Sequence, residues 1–320
     1  MGVRYGSRSR PGTMVSTWLN SLTSGTPAPV VAGYIGGGTS GSATSTVDKI
    51  PFADDSISSL AQGLSVAREG VAGVGNSGTA GYAGGGYSTS TTVDKWVFAG
   101  DSRTTLGTGL SVGRGQLASM SNSGTAGYWA GGTASATKKN TVDKLDVSDD
   151  TWSVLGTGLS VALRLLAGMA NSGTAGYVGG GYNPSTDNVD KFLFSNDSRT
   201  SYATGLSANN HGLGAMANSG TAGYFCGGAG ATDTIDKWTF ASDTSAALGT
   251  GLDTGVEGPT CMANSGTKGY ICGGHDGSGY VDIVQTVTFS DDSISTLGIT
   301  LSDDNGFAAG FANEASLGGP

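Results

Sequence analysis

The polar residues that recur with regular spacing along the chain are aspartates. One aspartate followed by Ser or Thr stands in each of six similar segments, at Asp55, Asp101, Asp150, Asp197, Asp243 and Asp292. Neighbouring carboxylates such as those of Asp54 and Asp55 are the oxygen ligands that calcium uses. An Asx-type turn, in which the aspartate bonds its own backbone, explains the pattern without a metal, and we favour it.

A second recurring pair is Asp-Lys. It occurs at Asp48-Lys49, Asp94-Lys95, Asp143-Lys144, Asp190-Lys191 and Asp236-Lys237, and is replaced in a sixth segment by Gln285-Thr286. Adjacent residues of a strand point to opposite faces. We therefore expect the lysine of one segment to meet the aspartate of its neighbour, which is a structural role.

Catalytic patterns are scarce. The chain has two histidines, His211 and His275, and no histidine cluster that would ligate copper or zinc. It has no G-x-S-x-G elbow, and no helix is predicted after its Gly-Gly-Gly runs, as a phosphate loop would require. We predict a non-enzymatic protein without a metal or a cofactor.

All of these residues belong to a repeat. The string Asn-Ser-Gly-Thr-Ala-Gly-Tyr begins at residues 76, 122, 171 and 218, with a lysine variant at 264 and a degenerate copy around Tyr34, so that the tyrosines are spaced by 48, 46, 49, 47 and 46 residues. The fourth copy divides into four extended segments at 166–170, 177–180, 189–194 and towards 205–206. A period in the high forties with four strands is typical of propeller blades.

The repeat resembles the kelch repeat. Tyr-x-Gly-Gly-Gly, a variable loop, a segment that ends in an aromatic residue and then Leu-x-x-x-Arg follow one another through residues 30 to 316. The double glycines that end kelch second strands are Gly84-Gly85, Gly131-Gly132, Gly179-Gly180, Gly227-Gly228 and Gly273-Gly274. The usual fourth-strand tryptophan occurs only as Trp152, so the repeat is divergent. The resemblance implies a β-propeller and no particular activity.

The ends of the chain predict how the ring closes. The first copy has no innermost strand before Val30, whereas residues 306–313 align with the innermost strands of the other copies. We predict an all-β, six-bladed β-propeller of four-stranded antiparallel blades over residues 30–320, in which the C-terminal strand completes the first blade. A closed ring protects its sheet edges.

The two faces of this propeller differ in sequence. The Asn-Ser-Gly hairpins and aspartate turns make a uniform face, while the loops between second and third strands differ in length and content and make a variable face. Loops that differ from one another on a repeated scaffold are typical of a surface that recognises a ligand or a partner. Sequence variation that is merely tolerated in surface loops would give the same pattern. The candidate binding residues in these loops are Tyr87, Lys138, Lys139, Tyr182, Asn183, His275, Asp276 and Tyr280.

The connections between blades change charge around the variable face. They carry Arg68, Arg114, Arg164, His211, Glu257, Asp303 and Asp304 in chain order. A rim that is basic on one side and acidic on the other would orient a charged sugar or a partner loop, with the three arginines and His211 as contacts. In the alternative, the arginines bond neighbouring carbonyls and stack on aromatic rings.

Charge also separates the N-terminal segment from the rest. The net charge is −9, yet residues 1–29 carry Arg4, Arg8 and Arg10 and no acid. An acidic body repels phosphate, which argues against nucleic acid as a partner. We interpret residues 1–29 as an extended basic arm that joins the chain to other subunits through these arginines and Trp18. A flexible terminus with Trp18 docked on the first blade is the alternative.

Other classes are excluded by simpler features. No run of eighteen apolar residues and no secretory signal occur, so we expect no membrane insertion and synthesis in the cytoplasm. The three cysteines cannot build a disulfide framework, and Cys226 and Cys272 are interpreted as small buried fillers.

These observations favour a non-catalytic structural or receptor-binding component of a larger assembly. The small Gly, Ser and Thr-rich blades and the arm are similar to kelch-like bacteriophage virion proteins, such as tail, fibre or capsid decorations. A carbohydrate-binding propeller is the alternative, with surface glycans as partners, and a glycan-active enzyme is the third hypothesis.

Overall fold

The computed structural model describes residues 31–87, 90–203 and 205–313. All regular secondary structure in these ranges is β-strand. Six sheets have four strands each, and a seventh is a small hairpin of Thr133–Ala134 and Thr137–Lys138. All strand pairs are antiparallel, as in the pair between Ala175–Gly179 and Val189–Leu193 of the fourth blade. The prediction of an all-β propeller with six four-stranded blades is confirmed.

Each blade consists of four strands, given in order from the innermost strand to the outermost. Blade 1 contains Ala309–Asn313, Ala32–Gly36, Val47–Pro51 and Ser58–Ser59. Blade 2 contains Ala72–Asn76, Ala80–Gly84, Val93–Val97 and Ser102–Thr105. Blade 3 contains Ala118–Asn122, Ala126–Ala130, Val142–Asp146 and Thr151–Val154. Blade 4 contains Ala167–Asn171, Ala175–Gly179, Val189–Leu193 and Ser198–Tyr202. Blade 5 contains Gly214–Asn218, Ala222–Cys226, Ile235–Thr239 and Thr244–Ala247. Blade 6 contains Thr260–Asn264, Lys268–Cys272, Ile283–Thr288 and Ser293–Thr300.

The last described strand closes the ring. It pairs with the first strand of the chain in a register that sets Ala32 opposite Asn313 and Gly36 opposite Ala309. It also packs beside the innermost strands of blades 6 and 2. The predicted closure of the first blade by the C-terminal strand is therefore confirmed.

The blades interdigitate through one glycine each. In the Gly-Tyr segment of every second strand, a Cβ on the glycine would overlap a side chain from the preceding blade's innermost strand. Phe311 lies against Gly81 in this way, and Met120 lies against Gly176. The tyrosine that follows is at most 1 % exposed in all six blades. The glycine is required because the neighbouring blade occupies the space of a side chain.

The Asn-Ser-Gly hairpins fasten the blades to one another at the uniform face. The Asn76 side chain accepts a hydrogen bond of 2.8 Å from the Gly124 amide of the next blade, and four further described seams repeat this contact. The Ser77 amide donates to the Ser123 hydroxyl at 3.0 Å, and three further seams repeat that one. The repeated string thus encodes contacts between blades as well as a turn.

A closed circle of backbone hydrogen bonds surrounds the channel at the variable face. Six residues, one before each innermost strand, each donate an amide hydrogen to the carbonyl of the previous one over 2.7–2.9 Å. All six have φ between +54° and +67°. They are Gly70, Gln116, Leu165, Gly212, Gly258 and Phe307. The central channel has a volume of about 230 Å³ and is lined by small side chains of the innermost strands.

Both ends of the described chain lie at the uniform face. Ala32 and Asn313 are paired at the end of blade 1 where the other blades carry their hairpins. The chain contains no helix, within the described ranges, that is long and apolar enough to span a membrane. The predicted arm at residues 1–29, with Arg4, Arg8, Arg10 and Trp18, lies outside the described residues.

Candidate functional site

The recurring aspartates, lysines and tyrosines are used at the seams between blades. In each of the six seams, a tyrosine hydroxyl and a lysine ammonium of one blade bond the turn aspartate of the next. In the seam between blades 2 and 3, Tyr82 Oη lies 3.1 Å and Lys95 Nζ 2.7 Å from the Asp150 carboxylate. The ammonium also lies 5.5 Å from the Tyr82 ring centroid, a cation–π distance. These residues are therefore not available to a ligand.

This network perturbs the tyrosines. Burial, outweighing all other influences, raises the pKa of Tyr128 to about 12, with Asp197 raising it further and Lys144 opposing. Burial and Asp150 raise the pKa of Tyr82 in the same direction. These phenols remain protonated, as is required of a hydrogen-bond donor to a carboxylate.

Two predictions about the aspartates are corrected by this arrangement. The lysine of one blade pairs with the turn aspartate of the next blade, not with the aspartate of the neighbouring Asp-Lys pair. The turn aspartates have φ between +46° and +60° and reach across the seam, while the residue before them makes the Asx turn in four blades. Asp149, for example, accepts a hydrogen bond of 3.1 Å from the Thr151 amide.

In the sixth seam, between blades 6 and 1, the turn aspartate is bonded by a lysine from a different position of the repeat. Thr286 occupies the position of the lysine, and Lys268, on the adjacent strand, supplies the ammonium that bonds Asp55 of blade 1. Lys268 Nζ lies 5.3 Å from the Tyr270 ring. The lysine variant of the repeated string at 268 and the loss of Asp-Lys at 285–286 are thus one compensated change.

Arg68 and Arg114 are not rim residues, which corrects the prediction that they contact a ligand. Arg114 is 0 % exposed and bonds Asp143 at 2.7 Å and the Gly131 carbonyl at 2.7 Å. Arg68 is 3 % exposed and bonds Asp94 at 2.7 Å. These arginines neutralise Asp94 and Asp143, two of the five buried aspartates of the Asp-Lys pairs, and thereby offset the cost of burying those two charges. Blade 6 replaces this pair by Val256 and the buried Gln285.

The residue that faces the channel mouth is one position further along the chain. Arg68 and Arg114 stand eight residues before the asparagine of the repeated string, whereas Arg164, His211 and Glu257 stand seven before it. The residues at this position bond the backbone just after the double glycine of the same blade, as Arg164 O does with Tyr182 N at 2.7 Å. The connection and the loop of a blade therefore meet at the mouth.

One cluster at the mouth contains Arg164, Tyr182 and His211. The guanidinium of Arg164 lies 5.2 Å from the Tyr182 ring and donates to Gln116 Oε1 at 3.0 Å. The rings of Tyr182 and His211 are 4.4 Å apart, and Ser185 Oγ lies 3.2 Å from His211 Nδ1. Burial lowers the pKa of His211 below its ordinary 6.5, with Arg164 adding to the effect and Glu257 opposing it. The imidazole is therefore neutral at pH 7.

A second cluster contains Glu257, His275 and Tyr280. His275 N donates to the Glu257 carbonyl at 2.8 Å, and the His275 and Tyr280 rings pack edge to face at 5.3 Å. Burial raises the pKa of Tyr280, and the charges of Glu69 and Glu257 raise it further. These carboxylates therefore approach the phenol from different connections, which makes this side of the mouth acidic.

The remaining predicted contacts lie further out. Tyr87 is 39 % exposed and lines a small cleft with Glu69 and Val66. Asp276 is half-buried and accepts hydrogen bonds from the Ser278 and Gly279 amides of its own loop. Lys138 Nζ donates to the Asn183 carbonyl across the junction of blades 3 and 4. Asp303 and Asp304 are exposed in the connection from blade 6 to blade 1.

The structure therefore brings Tyr182, His211, Arg164, His275 and Tyr280 around the mouth. It adds three residues that the sequence analysis missed, namely Glu69, Gln116 and Ser185. Counting back from the repeated asparagine would have found the first, because Glu69 shares the position of Arg164 and Glu257. Within the described part of the chain, no group of three His, Cys, Asp or Glu residues is arranged to hold a metal ion.

Positively and negatively charged groups thus surround the mouth of the channel. Cations and neutral donors lie at the junction of blades 3 and 4, and carboxylates lie towards blades 5, 6 and 1. Such an arrangement can orient a polar ligand or a charged partner surface.

Comparison with known proteins supports the fold. No protein-family profile matches the chain, and no curated protein matches it significantly. Among solved structures, that of the protein YjhT superimposes with a TM-score of 0.63 at 14 % sequence identity, over 77 % of this chain and 88 % of that one. At this identity the likeness concerns the fold alone, and with the six closed sheets it identifies the chain as a six-bladed β-propeller.

Proposed function

We propose that this chain is a non-catalytic structural or receptor-binding component of a larger assembly, which makes its contacts through the variable face. The observation that carries the proposal is the division between repeated and individual residues. Repeated polar side chains are used at the seams, whereas the non-repeated ones are gathered on one face. A ring stiffened at every seam is a suitable support for a contact surface.

The position of the chain ends supports attachment of the propeller to an assembly through its uniform face. Its described ends lie at the uniform face, at Ala32 and Asn313. An arm of residues 1–29 that joins another subunit would hold this face towards the assembly and leave the variable face free. The divergent kelch-like repeat and this layout are similar to kelch-like bacteriophage virion proteins, and we propose a virion location on that basis.

Deletion of residues 1–29 tests the assembly role. The deleted chain and the full chain would be expressed with the other virion proteins, and incorporation into particles would be measured by mass spectrometry. We expect incorporation to be lost while the melting temperature of the propeller is retained. Unchanged incorporation would refute the role of the arm.

A carbohydrate-binding propeller is a second candidate, favoured by the aromatic residues of the mouth. Tyr87 and Tyr182 are 39 % and 37 % exposed, and polar groups surround both. Exposed aromatic rings beside hydrogen-bonding groups are a common basis for ligand binding. A glycan array with the wild type and the Tyr87→Ala, Tyr182→Ala and Lys139→Ala variants tests this candidate, because binding that ignores all three changes would contradict it.

A further inference from the structure

We propose that Lys138, Lys139 and Arg164 form an anion-binding site at the junction of blades 3 and 4, which takes the carboxylate or sulfate groups of an acidic polysaccharide. The inference rests on the proposed use of the variable face for binding, and it names the class of ligand. It is carried by the distribution of ion pairs over the whole described ring.

Almost all cations of the described ring are neutralised within it. The sequence contains 16 Lys and Arg residues, and three of them, Arg4, Arg8 and Arg10, precede residue 31, which leaves 13. Ten of these 13 form ion pairs with aspartates. Lys138, Lys139 and Arg164 are the remaining three, and no ion pair joins them to a described carboxylate. In a chain of net charge −9, three unpaired cations at one place form a local positive site.

The backbone holds the three cations at this place. Lys138 ends the hairpin Thr133–Ala134 and Thr137–Lys138, whose turn residues Ser135 and Ala136 both have positive φ. Lys139 forms a backbone bridge with Leu163, the residue before Arg164. Arg164 in turn is bridged to Tyr182 in the loop of blade 4. The cations therefore lie on two adjoining blades whose loops are bonded together.

Hydrogen-bond donors remain open at this junction. The Lys138 ammonium donates one described hydrogen bond, to the Asn183 carbonyl, and the Arg164 guanidinium donates one from a single nitrogen, to Gln116 Oε1. Lys139 Nζ has no described hydrogen-bond partner. Charge-assisted hydrogen bonds to oxyanions are the strongest contacts that such groups make.

The arrangement favours a polymer with repeated anionic groups. The cations belong to adjoining loops of two blades, so that successive charges of a polymer can meet different cations. The exposed side chains of Thr137, Asn140 and Asn183 beside them are partners for sugar hydroxyls. The opposite side of the face carries Glu257, Asp276, Asp303 and Asp304, which would repel an acidic chain and confine it to this junction.

Binding of defined polymers to the full-length protein tests the proposal. Polygalacturonate and dextran sulfate are the carboxylate and sulfate probes, and uncharged dextran is the neutral one, each measured by biolayer interferometry at low and high salt. We expect the two acidic polymers to bind with salt-sensitive affinity. The Lys138→Gln/Lys139→Gln and Arg164→Gln variants should each lose on the order of tenfold in affinity.

Arg103→Gln is the matched control. Arg103 lies on the outer strand of blade 2, and its aspartate, Asp94, keeps the closer pair with Arg68. The control removes one positive charge and should retain the wild-type affinity. Equal losses in all variants would mean that net charge alone is responsible and would overturn the site, as would absence of binding to both acidic polymers.

Two further measurements show which part of the proposal is wrong if binding differs from the expected result. Tighter binding of polyglutamate than of either acidic polysaccharide would overturn the ligand class in favour of an acidic peptide. Incorporation of the wild-type chain into particles is measured separately. A wild type that is incorporated normally but binds neither acidic polymer would reject the anion site alone, whereas unchanged incorporation of the chain that lacks residues 1–29 would reject the proposed assembly role.

Discussion

Substitution of Phe311 by alanine should open the ring at its closing strand. Phe311 is 3 % exposed, stacks on Tyr34 at 5.4 Å with an interplanar angle of 6°, and lies against Gly81 of blade 2. Loss of a buried phenylalanine costs about 3–5 kcal/mol. With an unfolding entropy of about 2.1 cal/mol/K per residue over about 280 residues, we expect a fall in melting temperature of roughly 5–8 °C, measured by calorimetry.

Phe311→Met is the matched control. Methionine occupies the equivalent position in four other blades, where Met120, Met169, Met216 and Met262 each lie against the glycine of the next blade. We expect this variant to lose less than about 1.5 kcal/mol, because the volume change is small. Equal destabilisation by both substitutions, or no effect of Phe311→Ala, would refute the account of closure.

Three further changes test the seams and the buried charges. Arg114→Val should cost about 3–5 kcal/mol by leaving Asp143 unpaired, and Arg114→Val/Asp143→Gln should recover most of it in urea unfolding; no recovery would contradict the pairing. Lys268→Ala should lower the free energy of unfolding by about 1 kcal/mol, and Lys268→Ala/Thr286→Lys should restore part of that loss. Absence of any restoration would mean that the two positions do not share a role. Because the Tyr128 pKa is raised from 10 to about 12 in the folded chain, its contribution is complete below pH 10 and is lost as pH rises towards 12. Tyr128→Phe should therefore make the melting temperature less sensitive to alkali, and an unchanged slope would contradict this.

Local patterns determined the architecture. The period of the Asn-Ser-Gly-Thr-Ala-Gly-Tyr string, the four extended segments per period and the match of residues 306–313 to an innermost strand were enough for six blades and their closure. These features could be recognised without coordinates because turn and strand preferences act between residues that are close in the chain. The loops of the variable face were identifiable for the same reason, since their variation is visible within one sequence.

Contacts between blades were decided only by the tertiary structure. The partner of Lys95 is Asp150, 55 residues away, and the sequence offered several aspartates of the same type. Arg68 and Arg164 looked equivalent, yet one residue of displacement buries the first and leaves the second at the mouth. The unpaired state of Lys138 and Lys139 likewise emerged only when every other cation of the described ring had found its carboxylate. Pairing depends on distances in space between residues of different blades, and a repeated sequence leaves those distances undetermined.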